Sequence, residues 1–441
     1  MRAIAVLAPL LACATPCLAQ TAPPAPVAAP VQAAKEFRDR VNQLPDLLQG
    51  KGDYEGAFSD AFRAQLPKAK FDAVLQQIAA AAGPYAALQK LDAKTPWSGT
   101  LTVEYRDAIA TMAISVDPAG DHRITGLRVQ GLSARATSLD AVEAALKGLH
   151  GRTGYVLARL GDGAPQLLRQ HNANQVFAIG SEFKLVILAE LIRATNAGER
   201  TWDELVTLDG SELPGGGYTA KPAGTKVPLR ELATQMISIS DNSATDILLK
   251  TLGRAKVEAM LPVLGIADPA RNRPFLGTGE VFKLKTIPAL RDRYLAANEA
   301  GRRALLAGAV AATPLSQVNG ALFSAGKPLS IDRLEWFETP NDLVRVMDWI
   351  RRNTEGPNGA DARAVLAKNA GMPPLAAGKW NYVGYKGGSE PGVVAMTLLL
   401  QGKDSGWYVL SASWNDTAQD VEQSRFAGLV SKAAELAAPA R

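Results

Sequence analysis

Cysteine and histidine are the scarce residues of this chain. Its 441 residues include two cysteines, Cys13 and Cys17, and three histidines, His122, His150 and His171. Both cysteines fall in residues 1–19, which read as an export signal. Arg2 supplies the positive start, Ile4 to Ala12 a short apolar run, and Cys17-Leu18-Ala19 a small-residue cleavage site before Gln20. The apolar run is too short to cross a bilayer comfortably, so a periplasmic or secreted protein outranks an anchored one. Lipoprotein processing at Cys13 ranks lower, because the apolar run before it would be very short. A chain cleaved at Ala19 keeps no thiol, hence no disulfide, thiolate metal site or cysteine nucleophile. The histidines lack HExxH and zinc-ligand spacing, and no G-x-S-x-G elbow occurs. No metal or other cofactor is expected, and a serine enzyme here must find a base other than histidine.

The charge excludes a further class. The formal net charge is +5, but it is scattered. No run of five basic residues and no basic stripe with interleaved aromatics occurs, which argues against nucleic acid as a partner. No membrane span follows the signal. With 47% hydrophobic residues over this length, two ordered domains are the expectation.

Residues 20–33, with Pro23, Pro24, Pro26 and Pro30, read as a Pro/Ala-rich linker. An α+β domain is expected over 34–132. Phe37, Val41, Leu44 and Leu48 recur at helical spacing ahead of Gly50, and Phe71, Val74, Leu75 and Ile78 mark a second helix ending near Gly83-Pro84. The period then becomes two at Leu101/Val103/Tyr105 and Met112/Ile114/Val116, and Ile124/Leu127/Val129 closes the set; Pro118 to Asp121 form a hairpin turn. Helices followed by a curved antiparallel sheet resemble the cone-shaped NTF2-like or steroid-isomerase-like domain.

A second domain is expected over 137–441. Thr137 and Asp140 make a capping pattern before an apolar helix. Strands follow at 154–160 and 166–171, helices fill most of 181–350, strands return at 381–386, 393–400 and 407–413, and 421–437 closes as a helix. This order predicts an α/β/α sandwich with an all-α lobe. Residues 286–330 read as a helical insertion able to reshape a cleft, and Leu213 to Tyr218 as a flexible loop, with Tyr218 near the cleft.

The chemistry concentrates in three segments. Ser181 and Lys184 open an apolar helix three residues apart, which sets a hydroxyl and an amine on one face. An amine there can take the hydroxyl's proton and make serine a nucleophile. A second Ser-x-x-Lys, Ser324 to Lys327, contains Gly326 and precedes Pro328, so it reads as loop. Ser240-Asp241-Asn242 alone reads as a helix cap or turn, and Lys386-Gly387-Gly388-Ser389 alone as a strand end with a solvated lysine.

In this order, within one exported domain, the three segments resemble the serine β-lactamase and penicillin-binding-protein superfamily, in particular the class A β-lactamase-related hydrolases. The resemblance implies an acyl-enzyme on Ser181. Lys184 would be its proton acceptor and Ser240 a proton relay, while Asn242 would bind the substrate amide and Lys386 attract a substrate carboxylate. The N–H groups of Ser181 and Ser389 would form an oxyanion hole, and Gly387 and Gly388 would allow close approach. The implied partner is a small β-lactam, ester or peptide.

The chain departs from the family pattern in two places. Its third motif is Lys-Gly-Gly, without the usual middle hydroxyl, which Ser389 would have to replace. The Glu-x-x-x-Asn deacylation motif is missing; Glu280 and Glu335 are the candidate bases, against their reading as helix-terminus acids. A peptidoglycan DD-peptidase and a non-catalytic β-lactam or cell-wall binder are the alternatives.

Overall fold

The computed structural model describes residues 31–356 and 359–439. The export signal, both cysteines and most of the Pro/Ala-rich linker lie outside them. The helix Lys35–Leu48 buries Phe37, Val41, Leu44, Leu47 and Leu48 along one face. It stops before Gly50, whose φ of +73° suits a residue without a side chain. Two short helical turns lead to a second long helix, Lys68–Ala82. Four strands, Tyr85–Thr95, Ser98–Tyr105, Ala108–Val116 and Ile124–Ala134, then form an antiparallel meander in chain order. Helices and sheet share one apolar core that includes Phe37, Phe58, Met112 and Ile124.

The strand Tyr85–Thr95 escapes sequence reading for a physical reason. Its pairing with Ser98–Tyr105 slips at three places, so its inward face changes along its length. Thr95 is its sole β-branched residue. Its neighbours Ser98–Tyr105 and Ala108–Val116 keep a strict alternation of buried and half-buried positions, and they were legible.

The rest of the chain is built on five antiparallel strands. Their spatial order is Tyr382–Glu390, Val393–Gln401, Trp407–Asn415, Arg152–Leu160, Gln166–His171. One face packs on the helices Leu139–Lys147 and Gln423–Ala437 through Leu146, Tyr155, Trp414 and Phe426. The other packs on Lys184–Asn196, Pro340–Asn353 and the helical lobe through Val156, Ile187, Leu188 and Val346. The first and last helices of this part of the chain thus cover one side of the sheet. The C-terminal helix also lies against the last strand of the N-terminal sheet, where a Cβ on Gly428 would sit 3.4 Å from the Leu132 carbonyl oxygen.

Two local expectations need correcting. Ser138, not Thr137, caps the Leu139–Lys147 helix, its Oγ accepting from Ala141 N at 3.2 Å. The loop to Tyr218 is fastened: Gly217 N donates to Asp241 Oδ2 at 2.6 Å and Tyr218 N to Ser243 Oγ at 3.2 Å. Ser324 closes a four-residue helix, and Gly326 follows at φ +66°, so the second Ser-x-x-Lys opens no long helix. Among the described residues, no helix is long and apolar enough to cross a membrane.

Candidate active site

Ser181 stands on a tight turn, Gly180–Phe183, that runs into the Lys184–Asn196 helix. That helix is apolar nearly all round and passes through the interior, which carries Lys184 in its first turn out of solvent entirely. In its protonated form the buried amine is satisfied by three acceptors. Nζ donates to Ser240 O at 2.7 Å, Ser240 Oγ at 3.0 Å and Asn242 Oδ1 at 2.8 Å. Ser240 holds φ +60°, a region sparsely used by residues other than glycine. Asp241 fixes that conformation from the next position. Its Oδ1 accepts from Ala244 N at 2.8 Å as the cap of the Asn242–Leu252 helix, and its Oδ2 accepts from Gly217 N.

The third segment comes from the sheet's edge. Tyr382–Glu390 has a sheet neighbour on one side only, and its other side faces the Ser181 turn. Lys386 is buried there, and its Nζ donates to Ser240 Oγ at 3.1 Å. One hydroxyl oxygen therefore receives hydrogen bonds from two buried lysines. The approach of strand and turn explains two glycines. A Cβ on Gly388 would lie 2.0 Å from Ile179 O and 2.5 Å from Ser181 N; one on Gly180, at φ +50°, would lie 2.9 Å from Ser389 N. The amides of Ser181 and Ser389 are thereby drawn to facing segments.

Burial, then the charge of Lys386, push Lys184 down to about 6. Burial pushes Lys386 down to about 8. Near neutrality the first amine is largely a base and the second largely a cation. Ser181, Ser240, Asn242, Lys386, Gly388 and Ser389 line one open cleft of about 610 Å³. Ile239, Asn369, Tyr385 and Gln423 are among its other walls, and no acid or histidine is among the lining residues.

The beta-lactamase enzyme family model matches residues 136–434. The chain belongs to the beta-lactamase enzyme family. The match takes in all three motif segments and leaves the N-terminal helices and meander outside. Among solved structures the chain is similar to a β-lactamase from Sphaerobacter thermophilus, at 21% identity and TM-score 0.46, covering 67% of this chain and 94% of that one. It is also similar to PBP-A, at 18% identity and TM-score 0.45, covering 67% and 92%. A variant of the last common ancestor of Gram-negative bacteria class A β-lactamases gives 18% identity and TM-score 0.45, covering 67% and 95%. No curated protein matches the sequence.

Within this β-lactamase-family cleft the two candidate acids are absent, because both are engaged elsewhere. Glu280 is the third residue of the Thr278–Thr286 helix. Its Oε2 accepts from Gly277 N at 2.7 Å, and Arg254 grips both its oxygens at 2.6 and 3.0 Å. Glu335 is buried. Its Oε1 accepts from Lys285 Nζ at 3.0 Å, and its Oε2 from Gly180 N at 3.2 Å and Trp336 N at 3.1 Å. It touches the Ser181 turn through Gly180 N. Lys285 also pairs with Glu390, the residue after Ser389. Tyr218 bonds Glu231 at 2.9 Å and lines a separate cavity; residues 286–330 do not line the cleft either.

Sequence reasoning passed over Glu182, whose signal was a charged residue where an interior helix begins. It is fully buried; the Thr397 hydroxyl alone approaches its carboxyl, and that hydroxyl is already paired with Ser411 Oγ at 3.0 Å. Burial pushes it up to about 8, so at pH 7 it is chiefly the neutral acid. The folded state then holds a proton that the unfolded chain releases near 4.5, and the associated stability is lost as pH rises through about 8. Glu182→Gln mimics the neutral acid. We expect a urea midpoint close to wild type at pH 5 and clearly higher than wild type at pH 9; equal midpoints at pH 9 would contradict this account of the buried acid.

Proposed function

We propose that Ser181 forms an acyl-enzyme with a β-lactam or a related activated ester or amide, and that water then releases the acyl group. The observation that carries this reading is the pair of buried lysines converging on Ser240 Oγ, with Lys184 pushed low enough to act as a base at neutral pH. Ser181 Oγ attacks the carbonyl carbon, and its proton goes to Lys184 Nζ. The tetrahedral oxyanion is held by the N–H groups of Ser181 and Ser389, an arrangement in which one donor is worth about 3–4 kcal/mol. Collapse breaks the bond to the leaving nitrogen or oxygen. That atom takes the Ser240 hydroxyl proton, and Lys184 returns a proton to Ser240. Asn242 orients Lys184 and offers its side-chain amide to the substrate. Lys386 attracts an anionic group.

One observation favours a second reading. No carboxylate lines the cleft, and both Glu280 and Glu335 are tied up in contacts of their own. Slow deacylation, as in a DD-peptidase, suits such a site. Incubation with benzylpenicillin or a p-nitrophenyl ester, followed by intact and peptide mass, is expected to show an acyl adduct on the peptide containing Ser181. No adduct and no turnover with either reagent would refute the acyl-enzyme. D-alanine release from a D-Ala-D-Ala peptide selects the peptidase reading, and an adduct that never releases selects a binder. We also propose that the protein is exported, that it divides into units over 34–132 and 137–441, and that the first is an NTF2-like positioning module, in keeping with its four helical segments and single antiparallel sheet.

A further inference from the structure

By the two-residue period of a strand, Tyr385, Gly387 and Ser389 belong to one face of Tyr382–Glu390, and Lys386 and Gly388 to the other. Lys386 and Gly388 meet Ser240 and the Ser181 turn. On the opposite face, two glycines make room for a single phenol ring. A Cβ on Gly387 would lie 2.1 Å from the Tyr385 hydroxyl and 2.8 Å from its Cζ. A Cβ on Gly371, at φ +64°, would lie 2.4 Å from ring carbons Cγ and Cδ2. The Gly371 loop is itself fastened. Gly371 N donates to Asn369 Oδ1 at 2.9 Å, and Asn369 Nδ2 donates to Ser238 O at 2.9 Å, two residues before Ser240.

The phenol is therefore clamped with its hydroxyl where a side chain at position 387 would begin. It lines the cleft and makes no hydrogen bond to a described residue. Beside it on the same edge strand is Lys386; no acid lines the cleft, and Glu182, the buried acid that acts on both groups, is itself pushed up to about 8 by burial. A ligand lying along a sheet edge meets side chains from both faces of the strand. An unused O–H donor next to a cation presents a charge-assisted pair for an anionic acceptor.

We propose that the Tyr385 hydroxyl is a substrate-binding donor which, together with Lys386, selects acyl substrates that carry a carboxylate over neutral ones. This rests on the acyl-enzyme reading and adds a specificity residue to it. It also gives the Lys-Gly-Gly sequence a reason: the hydroxyl missing from position 387 is supplied from two residues earlier, on the same face, and a side chain at 387 would collide with it. Burial pushes the phenol well above its ordinary range, so it stays a donor at any working pH. Ser389, the substitute suggested by sequence, belongs by the same period to the Tyr385 face and also lines the cleft, but the space at position 387 itself is filled by the phenol.

Tyr385→Phe keeps the ring between its two glycines and removes only the donor. For benzylpenicillin, an anion, the saturation constant for acylation is expected to rise on the order of tenfold or more, the loss typical of one hydrogen bond to a charged group. The limiting acylation rate should stay within about twofold, and acylation by neutral p-nitrophenyl acetate should be unchanged. Adding Gly387→Ser to Tyr385→Phe should restore part of the preference for the anion, since the space is then vacant. In the wild-type background the same serine should impair the enzyme. If wild type is acylated but Tyr385→Phe leaves the anion-to-neutral ratio unchanged, or changes both substrates equally, this inference fails alone. If neither reagent acylates wild type, the acyl-enzyme reading fails and takes the inference with it.

Discussion

Ser181→Ala, Lys184→Met and the double variant are each expected to lose acylation by on the order of 10³-fold or more, and by similar factors, because nucleophile and base act as one unit. Serine without a proton acceptor is a poor nucleophile, and a base without a nucleophile has nothing to activate. Lys184→Met fills nearly the same volume in the buried site, so a folded variant is expected, with Ser240 and Asn242 losing their donor. The wild-type pH profile supplies an independent check. In the proposed reaction the neutral amine takes the proton, so kcat/KM should rise with pH through about 6, where Lys184 loses its charge. For an anionic substrate it should fall again through about 8, as Lys386 loses the charge that attracts the carboxylate. Both amines bond one oxygen, so the two limbs belong to the pair as a whole. A neutral ester should retain the rising limb and lose the falling one. Substantial activity in Ser181→Ala, or losses that multiply in the double variant, would move the nucleophile or the base elsewhere.

The three segments that converge here were legible because each depends on residue types at short spacing. Ser181 and Lys184 needed one helical turn, Ser240 to Asn242 one cap, Lys386 to Ser389 one strand end. Their convergence is tertiary: the family resemblance pointed to the Ser181 hydroxyl as its centre, whereas both lysines bond the Ser240 hydroxyl, and Ser181 Oγ makes no hydrogen bond to a described residue. The strands of the large sheet were legible from long apolar runs, such as Val393 to Leu400, whose positions are all buried. The cap at Ser138 was misplaced by one residue because two adjacent hydroxyls compete and Asp140 favours the wrong one in the pattern. Buried charge was the least legible feature. Glu182, Lys285, Glu335 and Glu390 look in sequence like ordinary surface residues or helix-end acids, since pattern rules place charges in water. Their partners lie far along the chain, Lys285 and Glu335 being 50 residues apart and Lys285 and Glu390 105.

That buried group links the two halves of the site, and its central cation carries the second large prediction. Lys285 has no exposed side-chain surface. Burial alone would lower its ammonium, but the charges of Glu335 and Glu390 outweigh that and hold it raised. Burial, then the Glu335 charge, push Glu390 up, and Lys285 pairs with both carboxyls. Glu335 grips Gly180 N next to Ser181, while Glu390 ends the strand that carries Ser389. Lys285 thus ties the Ser181 amide's segment to the Ser389 amide's segment. Lys285→Met leaves Glu335 buried without its counter-ion, and breaking such a pair from one side costs about 3–5 kcal/mol. We expect a loss of that order in urea denaturation at pH 8. Lys285→Met/Glu335→Gln should recover much of the stability, because no unpaired charge remains. Acylation should stay slow in the double variant, because the turn and the strand are no longer tied at a fixed spacing. A single variant within about 1 kcal/mol of wild type would show that this cation does not hold the site together.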